Sequence, residues 1–82
     1  MPEICRFLGI VISMYYDDHN PPHFHIRYNE FRAVMDIQSL NIVHGMLPAR
    51  VRSPVEEWAE INREELLSMW VSKCFHKISP LV

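Results

Sequence analysis

The sequence predicts an α+β domain, a small antiparallel sheet of three to four strands followed by one long C-terminal helix packed on one face. Three observations predict it. Apolar side chains alternate with period two in the first half of the chain, turn-forming residues interrupt them, and a 3.6-residue apolar stripe runs through residues 55–70. At 82 residues, of which 49% are hydrophobic, the chain suits one domain, residues 1–82. Its core is thin, so a partner or a second copy is a natural way to cover exposed apolar surface.

The first strand region is "ICRFLGIVISMYY", residues 4–16, rich in Ile, Val, Phe and Tyr. It reads as one long strand or as two short ones joined at Gly9. "DDHNPP" ends it, with Pro21 and Pro22 steering the preceding residues away from helical dihedrals. "HFHIRYNEF" resumes as a strand in which His23, His25 and Arg27 share one face and Phe24, Ile26 and Tyr28 the other. Asn29-Glu30 forms a hairpin tip, and "FRAVMDI" runs back with Phe31, Ala33, Met35 and Ile37 opposite Arg32, Val34 and Asp36. A further turn at Ser39 to Asn41 leads to the short segment "IVHGML" before Pro48.

The helix has the firmest local signature. Ser53 reads as its N-cap, Pro54 as its first residue and Glu56 as a capping-box glutamate. Val55, Trp58, Ala59, Leu66, Met69 and Trp70 then form the buried stripe, with Ile61 off it and Glu57, Glu60 and Glu64 facing solvent. Ile78 to Val82 make an apolar tail that suits an edge strand or a docking segment.

Charge narrows the function classes. The formal net charge is −2, with 8 basic and 10 acidic residues, which excludes a broad polybasic footprint while leaving room for a local patch. Residues 1–52 are balanced at five of each sign, and the acidic excess falls in residues 53–82. Cys5 and Cys74 are far apart and read as free thiols in a reducing compartment. With no long apolar run and a strand from the start, neither a membrane span nor a targeting segment is expected, and the expected location is the cytoplasm.

The chemistry concentrates in "DDHNPPHFHIRYNE", residues 17–30. His23 and His25 stand two apart on a strand, so both imidazoles project to one side, and His19 lies four residues earlier across the proline turn. A metal ion would accept His19, His23 and His25, with Asp17, Asp18 or Glu30 supplying a carboxylate. Which metal or cofactor, if any, is unspecified by the sequence. The same residues suit acid–base catalysis without metal, with a second imidazole in the opposite role and Arg27 steadying a phosphate. His19, His23, His25 and Arg27 are therefore the candidate catalytic residues. A third reading is structural, a turn whose histidines bond to neighbouring carboxylates and carbonyls. Asp17 and Asp18 are expected to cap that turn. Only two glycines occur, and no phosphate-cradling loop or H-E-x-x-H motif is present.

The opening "PEICRFLGIVISMYYDDHNPPHFHIRYNE" resembles a small bacterial family catalogued as domain of unknown function 4160. The likeness continues through "FRAVMDI", "LPARV" and "VEEWAEINREELLSMW", so it covers nearly the whole chain. The resemblance implies a gene neighbour encoding a second small protein, in an arrangement like a type II toxin–antitoxin pair with this chain on the toxin side. The motif residues it marks here are Asp18, His19, Asn20, Pro21, Pro22, His23, Phe24 and His25. Similar chains often carry histidine where this one has Asn62, which weakens any fourth-histidine reading. The expected partners are thus a small cognate antitoxin-like protein, RNA as a target, or a second copy of the chain, and no membrane. Against a toxin acting on RNA stand two alternatives, a non-catalytic binding or regulatory domain and a metal-binding protein using the same histidines.

Overall fold

A computed structural model of the chain describes residues 2–82. Its first element, β1 (Glu3–Phe7), meets β2 (Ile10–Ser13) through Leu8 and Gly9, both at positive φ (53° and 76°), as a tight two-residue hairpin requires. The apolar run at residues 4–16 is therefore two strands. β3 (His23–Tyr28) and β4 (Phe31–Asp36) follow, joined at Asn29 and Glu30 with Asn29 left-handed at φ 53°, and β5 (Ile42–Gly45) completes the sheet. All neighbours are antiparallel and in sequence order, β1-β2-β3-β4-β5. Five strands thus replace the expected three to four. "IVHGML" pairs with β4, and the Leu8-Gly9 turn splits the opening run.

The expected single helix is two, α1 (Ala49–Ile61) and α2 (Arg63–Ser72). The break is Asn62, at φ −107° and ψ 16°, whose amide Nδ2 donates to the Trp58 carbonyl at 2.8 Å. The Trp58 carbonyl also accepts the Asn62 backbone N–H at 3.1 Å, so two donors of one residue share it, and the helical dihedrals lapse at that residue. The start also differs from expectation. The carbonyl of Pro48 accepts the N–H groups of Val51 and Arg52 at 2.9 and 3.0 Å, so the helix begins at Ala49 and Pro54 lies inside it. Pro54 offers no N–H to the Arg50 carbonyl, but Arg50 is exposed and water can serve that oxygen. Glu56 closes no capping box and instead binds Arg52 Nε at 2.7 Å.

The apolar stripe packs as its period demands. Val55, Trp58, Ala59, Leu66, Met69 and Trp70 are all buried, and Ile61 is exposed. They cover one side of the sheet, where Ile4, Phe7, Ile10, Ile12, Phe24, Ile26, Ala33 and Met35 project. Trp58 is the central anchor, its ring 6.2 Å from Phe7 and 5.9 Å from Phe24. Its indole N–H donates to the Ser79 carbonyl at 2.9 Å. The apolar tail thus docks on its own domain, with Ile78 N–H bonding the Ile4 carbonyl at 2.8 Å beside β1. A β-bulge between Glu3 and Cys5 turns Ile4 and Cys5 inward in succession. Cys5 is a buried free thiol whose pKa burial pushes up, and Cys74 is free and exposed. Among the described residues no helix is long and apolar enough to cross a membrane. The helices cover one face of the sheet, which leaves the other open, and the candidate site lies there.

Candidate histidine–carboxylate site on the open sheet face

Period-two alternation along β3 sends Phe24 and Ile26 to the core and His23, His25 and Arg27 to the open face. The ladders fix their neighbours. Across β2, Ser13 stands opposite His25 and Val11 opposite Arg27. Across β4, Asp36 stands opposite His23, Val34 opposite His25 and Arg32 opposite Arg27. On β5, His44 lies opposite Val34. Val11, Ser13, His25, Arg27, Arg32, Val34 and His44, with Tyr15, line an open groove of about 590 Å³, and His23 and Asp36 lie outside its lining.

The turn before β3 folds back over one end of this groove. Asp18 donates its N–H to the Tyr15 carbonyl at 3.3 Å, and its side chain points at the histidines. Asp18 Oδ2 lies 2.9 Å from His25 Nε2 and 3.3 Å from His23 Nε2. The carboxylate therefore serves the imidazoles, where a turn-capping role was expected. Asp36 takes the capping role elsewhere, with Oδ1 accepting the N–H groups of Gln38 and Ser39 at 2.8 and 2.9 Å. His23 Nδ1 stands 2.8 Å from the Pro21 carbonyl. A carbonyl only accepts, so Nδ1 carries the proton there. His25 bonds Asp18 through Nε2–H, leaving Nδ1 as its lone-pair nitrogen. His23 Nε2 faces the same carboxylate oxygen at 3.3 Å, so both imidazoles present a nitrogen to one acceptor.

Packing holds the pair in place. The side chains of His23, His25 and Asp18 are only 16%, 33% and 20% exposed. The Tyr15 ring meets His25 edge-on at 4.6 Å, and the two imidazoles are 5.3 Å apart. Trp70 of α2 lies 5.0 Å from His23. Its indole N–H donates to Asn20 Oδ1 at 2.9 Å, and Lys73 Nζ sits 3.7 Å from the ring centroid. The helix thereby clamps the turn that carries Asp18.

Of the sequence-derived candidates, His23 and His25 converge. Arg27 shares their face two residues on, exposed to the groove. His19 does not join them. It is exposed in a shallow depression lined also by Asp18, Asn20, Trp70, Val71 and Lys73, and its ring is not among the groups that converge on Asp18 Oδ2. The three groups whose ligand atoms lie within 4.8 Å of one another are Asp18, His23 and His25. Asp17 is exposed and Glu30 lies at the far hairpin tip. His76 pairs with Glu65 at 3.2 Å, remote from this face, and Arg52 pairs with Glu56 at 2.7 Å.

Three residues of the site carried no functional weight in the sequence. Arg32 was recoverable, since pairing symmetric about Asn29-Glu30 sets it opposite Arg27. Ser13, buried at 4% exposure, was signalled only by being polar within an apolar strand. Trp70 gave no local signal, because its position on the apolar stripe reads as core.

A family model described as Domain of unknown function (DUF4160) matches residues 9–71. No curated protein and no solved structure matches the chain.

Proposed function

The chain belongs to the DUF4160 family, and we propose that it is the toxin-like member of a two-protein toxin–antitoxin module that cleaves RNA by acid–base chemistry. The observation that carries this reading is the convergence of His23 and His25 on one oxygen of Asp18, at the end of a groove lined by Arg27 and Arg32. Asp18 fixes the His25 tautomer, so Nδ1 takes the proton of a ribose 2′-hydroxyl. The 2′-oxygen forms its bond to phosphorus as the bond to the 5′-oxygen breaks. His23, protonated on Nε2 beside Asp18, supplies the proton that the departing 5′-oxygen needs. Arg27, two residues further along the same face, steadies the adjacent phosphate of the strand through paired donors. Pairing with a small antitoxin-like protein follows from the family resemblance alone.

The test is incubation of the purified chain with single-stranded RNA in the presence of chelator. His25→Ala and His23→Ala are each expected to lower the cleavage rate about 10²–10⁴-fold. A 2′-deoxy nucleotide at the scissile position is expected to block it. Undiminished cleavage by His25→Ala refutes the mechanism.

A second reading draws on a separate feature, the His23 Nδ1–H bond to the Pro21 carbonyl. Metal-bound histidines characteristically donate their other nitrogen in this way. Asp18 Oδ2, His23 Nε2 and His25 Nε2 would then hold zinc or a similar ion as a two-nitrogen, one-oxygen set. Stoichiometric zinc binding that His23→Ala abolishes, with cleavage lost on chelation, would favour it over the metal-free mechanism.

A further inference from the structure

We propose that Arg27, Arg32 and His44 form a phosphate subsite one nucleotide away from the histidine pair, making the substrate an extended single strand of RNA. The inference rests on the RNA-cleavage reading and gives its substrate a path. Arg27 and Arg32 are directly opposed in the β3–β4 ladder and project from the same open face. Like charges in that position repel and destabilise a hairpin. Both are exposed, and among the described residues neither has a carboxylate partner. Three of the six other Lys and Arg side chains do have one: Arg6 bonds Glu3 at 2.8 Å, Arg52 bonds Glu56 at 2.7 Å and Lys77 reaches Glu3 at 3.4 Å. Arg63 instead bonds the Ile37 carbonyl and Lys73 stacks on Trp70, so the two arginines of the groove differ in standing directly opposite each other.

The surroundings sharpen the contrast. The groove lining holds His25, His44 and the two arginines but no acidic residue, although the whole chain carries −2. The two carboxylates on this face lie outside the groove lining and are engaged, Asp18 by the histidines and Asp36 by the N–H groups of Gln38 and Ser39. The acidic excess sits on the helices, with Glu57, Glu60, Glu64 and Glu65 exposed on the opposite side of the domain. Two opposed guanidinium groups in a groove without a carboxylate offer an anion a paired set of donors, and phosphate fits their planar geometry.

Spacing names the strand. Arg27 is two residues beyond His25 on one face, about 7 Å along a β-strand. That is the scale of one nucleotide step in an extended single strand. A scissile phosphate at the histidines therefore places its neighbour between Arg27 and Arg32. Val11 and Val34 floor the groove there, apolar surface on which a ribose or base can lie, and His44 closes the side towards β5. A paired helix is too wide for one row of cations, and its recognition needs contacts across successive grooves.

The experiment uses a non-cleavable 2′-O-methyl oligoribonucleotide, titrated with the full chain at several salt concentrations. Arg27→Gln and Arg32→Gln are each expected to weaken binding by about tenfold and to flatten the salt slope by about 0.7, one phosphate contact on a single strand. Arg50→Gln removes the same charge from the exposed start of α1 and is expected to leave affinity unchanged. If the groove variants behave like Arg50→Gln, or wild-type protein does not bind the oligomer, the inference is overturned. Equal affinity for inorganic phosphate, or tighter binding to duplex RNA, overturns the single-strand assignment. Because the probe cannot be cut, binding without cleavage of natural RNA sinks the acid–base reading and leaves the subsite standing. Cleavage that survives both arginine changes does the reverse. Unfolding midpoints in urea guard against misfolding, and Arg32→Gln should match or exceed wild type once the opposed charges are relieved.

Discussion

Trp70 ties α2 to the turn that carries Asp18, and a double-mutant cycle with Asn20 measures that tie. The indole N–H donates to Asn20 Oδ1 at 2.9 Å, and Trp70 is only 5% exposed whereas Asn20 is exposed. Asn20→Ala leaves a buried N–H without its acceptor, which costs about 1–3 kcal/mol. Trp70→Phe loses a hydrogen bond worth about 0.5–1.5 kcal/mol, while the Asn20 oxygen returns to water. The smaller ring adds about 1 kcal/mol of lost apolar burial. Once the indole is gone, removing Asn20 orphans nothing, so the double variant should be less destabilised than the sum of the singles by about 1 kcal/mol. Urea unfolding followed by circular dichroism resolves this, since a domain of 82 residues has a total stability on the order of 4–12 kcal/mol. Additivity within about 0.3 kcal/mol would refute the coupling. The functional counterpart is cleavage of RNA by Trp70→Phe, expected to fall about tenfold because the ring 5.0 Å from His23 no longer holds the imidazole in register. Full cleavage by this variant would show that α2 plays no part in positioning the site.

Two further outcomes concern the outer strands of the sheet, β5 and β1. A Cβ on Gly45 would clash with the Arg32 carbonyl oxygen, at a φ of +76°, so Gly45→Ala forces β5 away from β4. The expected cost is at least about 1–3 kcal/mol, a fall of roughly 5 °C or more in Tm, and an unchanged Tm contradicts the close approach. Glu3 is held down to about 2, from an ordinary 4.5, chiefly by its hydrogen bonds to Arg6 and then by Lys77. A depressed carboxyl stabilises the fold above its unfolded pKa and loses that contribution as pH falls through the folded value. The stability gap between wild type and Glu3→Gln should therefore shrink from pH 4.5 to about 2, and a gap independent of pH over that window would remove the ion pair from the account.

Much of the architecture was legible because it rests on local periodicity. Alternation placed His23, His25 and Arg27 on one face and Phe24 and Ile26 on the other, and the 3.6-residue stripe from Val55 to Trp70 is the buried side of the helices. What failed depended on competing local chemistry. Ser53, Pro54 and Glu56 carry a strong start signal, yet Pro48 already supplies the accepting carbonyl and Glu56 takes Arg52 as its partner. Asn62 is an ordinary polar residue on an exposed side until its amide turns back on the Trp58 carbonyl and divides the helix.

The candidate site divides along the same line. By itself the sequence determined that two imidazoles share a side of a strand, since a pleated backbone allows nothing else two residues apart. The third group was decided only by the tertiary fold. His19, near in sequence, points elsewhere, while Asp18, one residue earlier, reaches both rings because the proline turn and Trp70 fix its direction. Likewise Arg32 became Arg27's neighbour through strand register, and their unmatched charge became a feature only because no carboxylate lines the groove around them. Chain periodicity sets where a side chain leaves the backbone. Which groups it meets is set by packing between segments distant in sequence, and that is written in no local pattern.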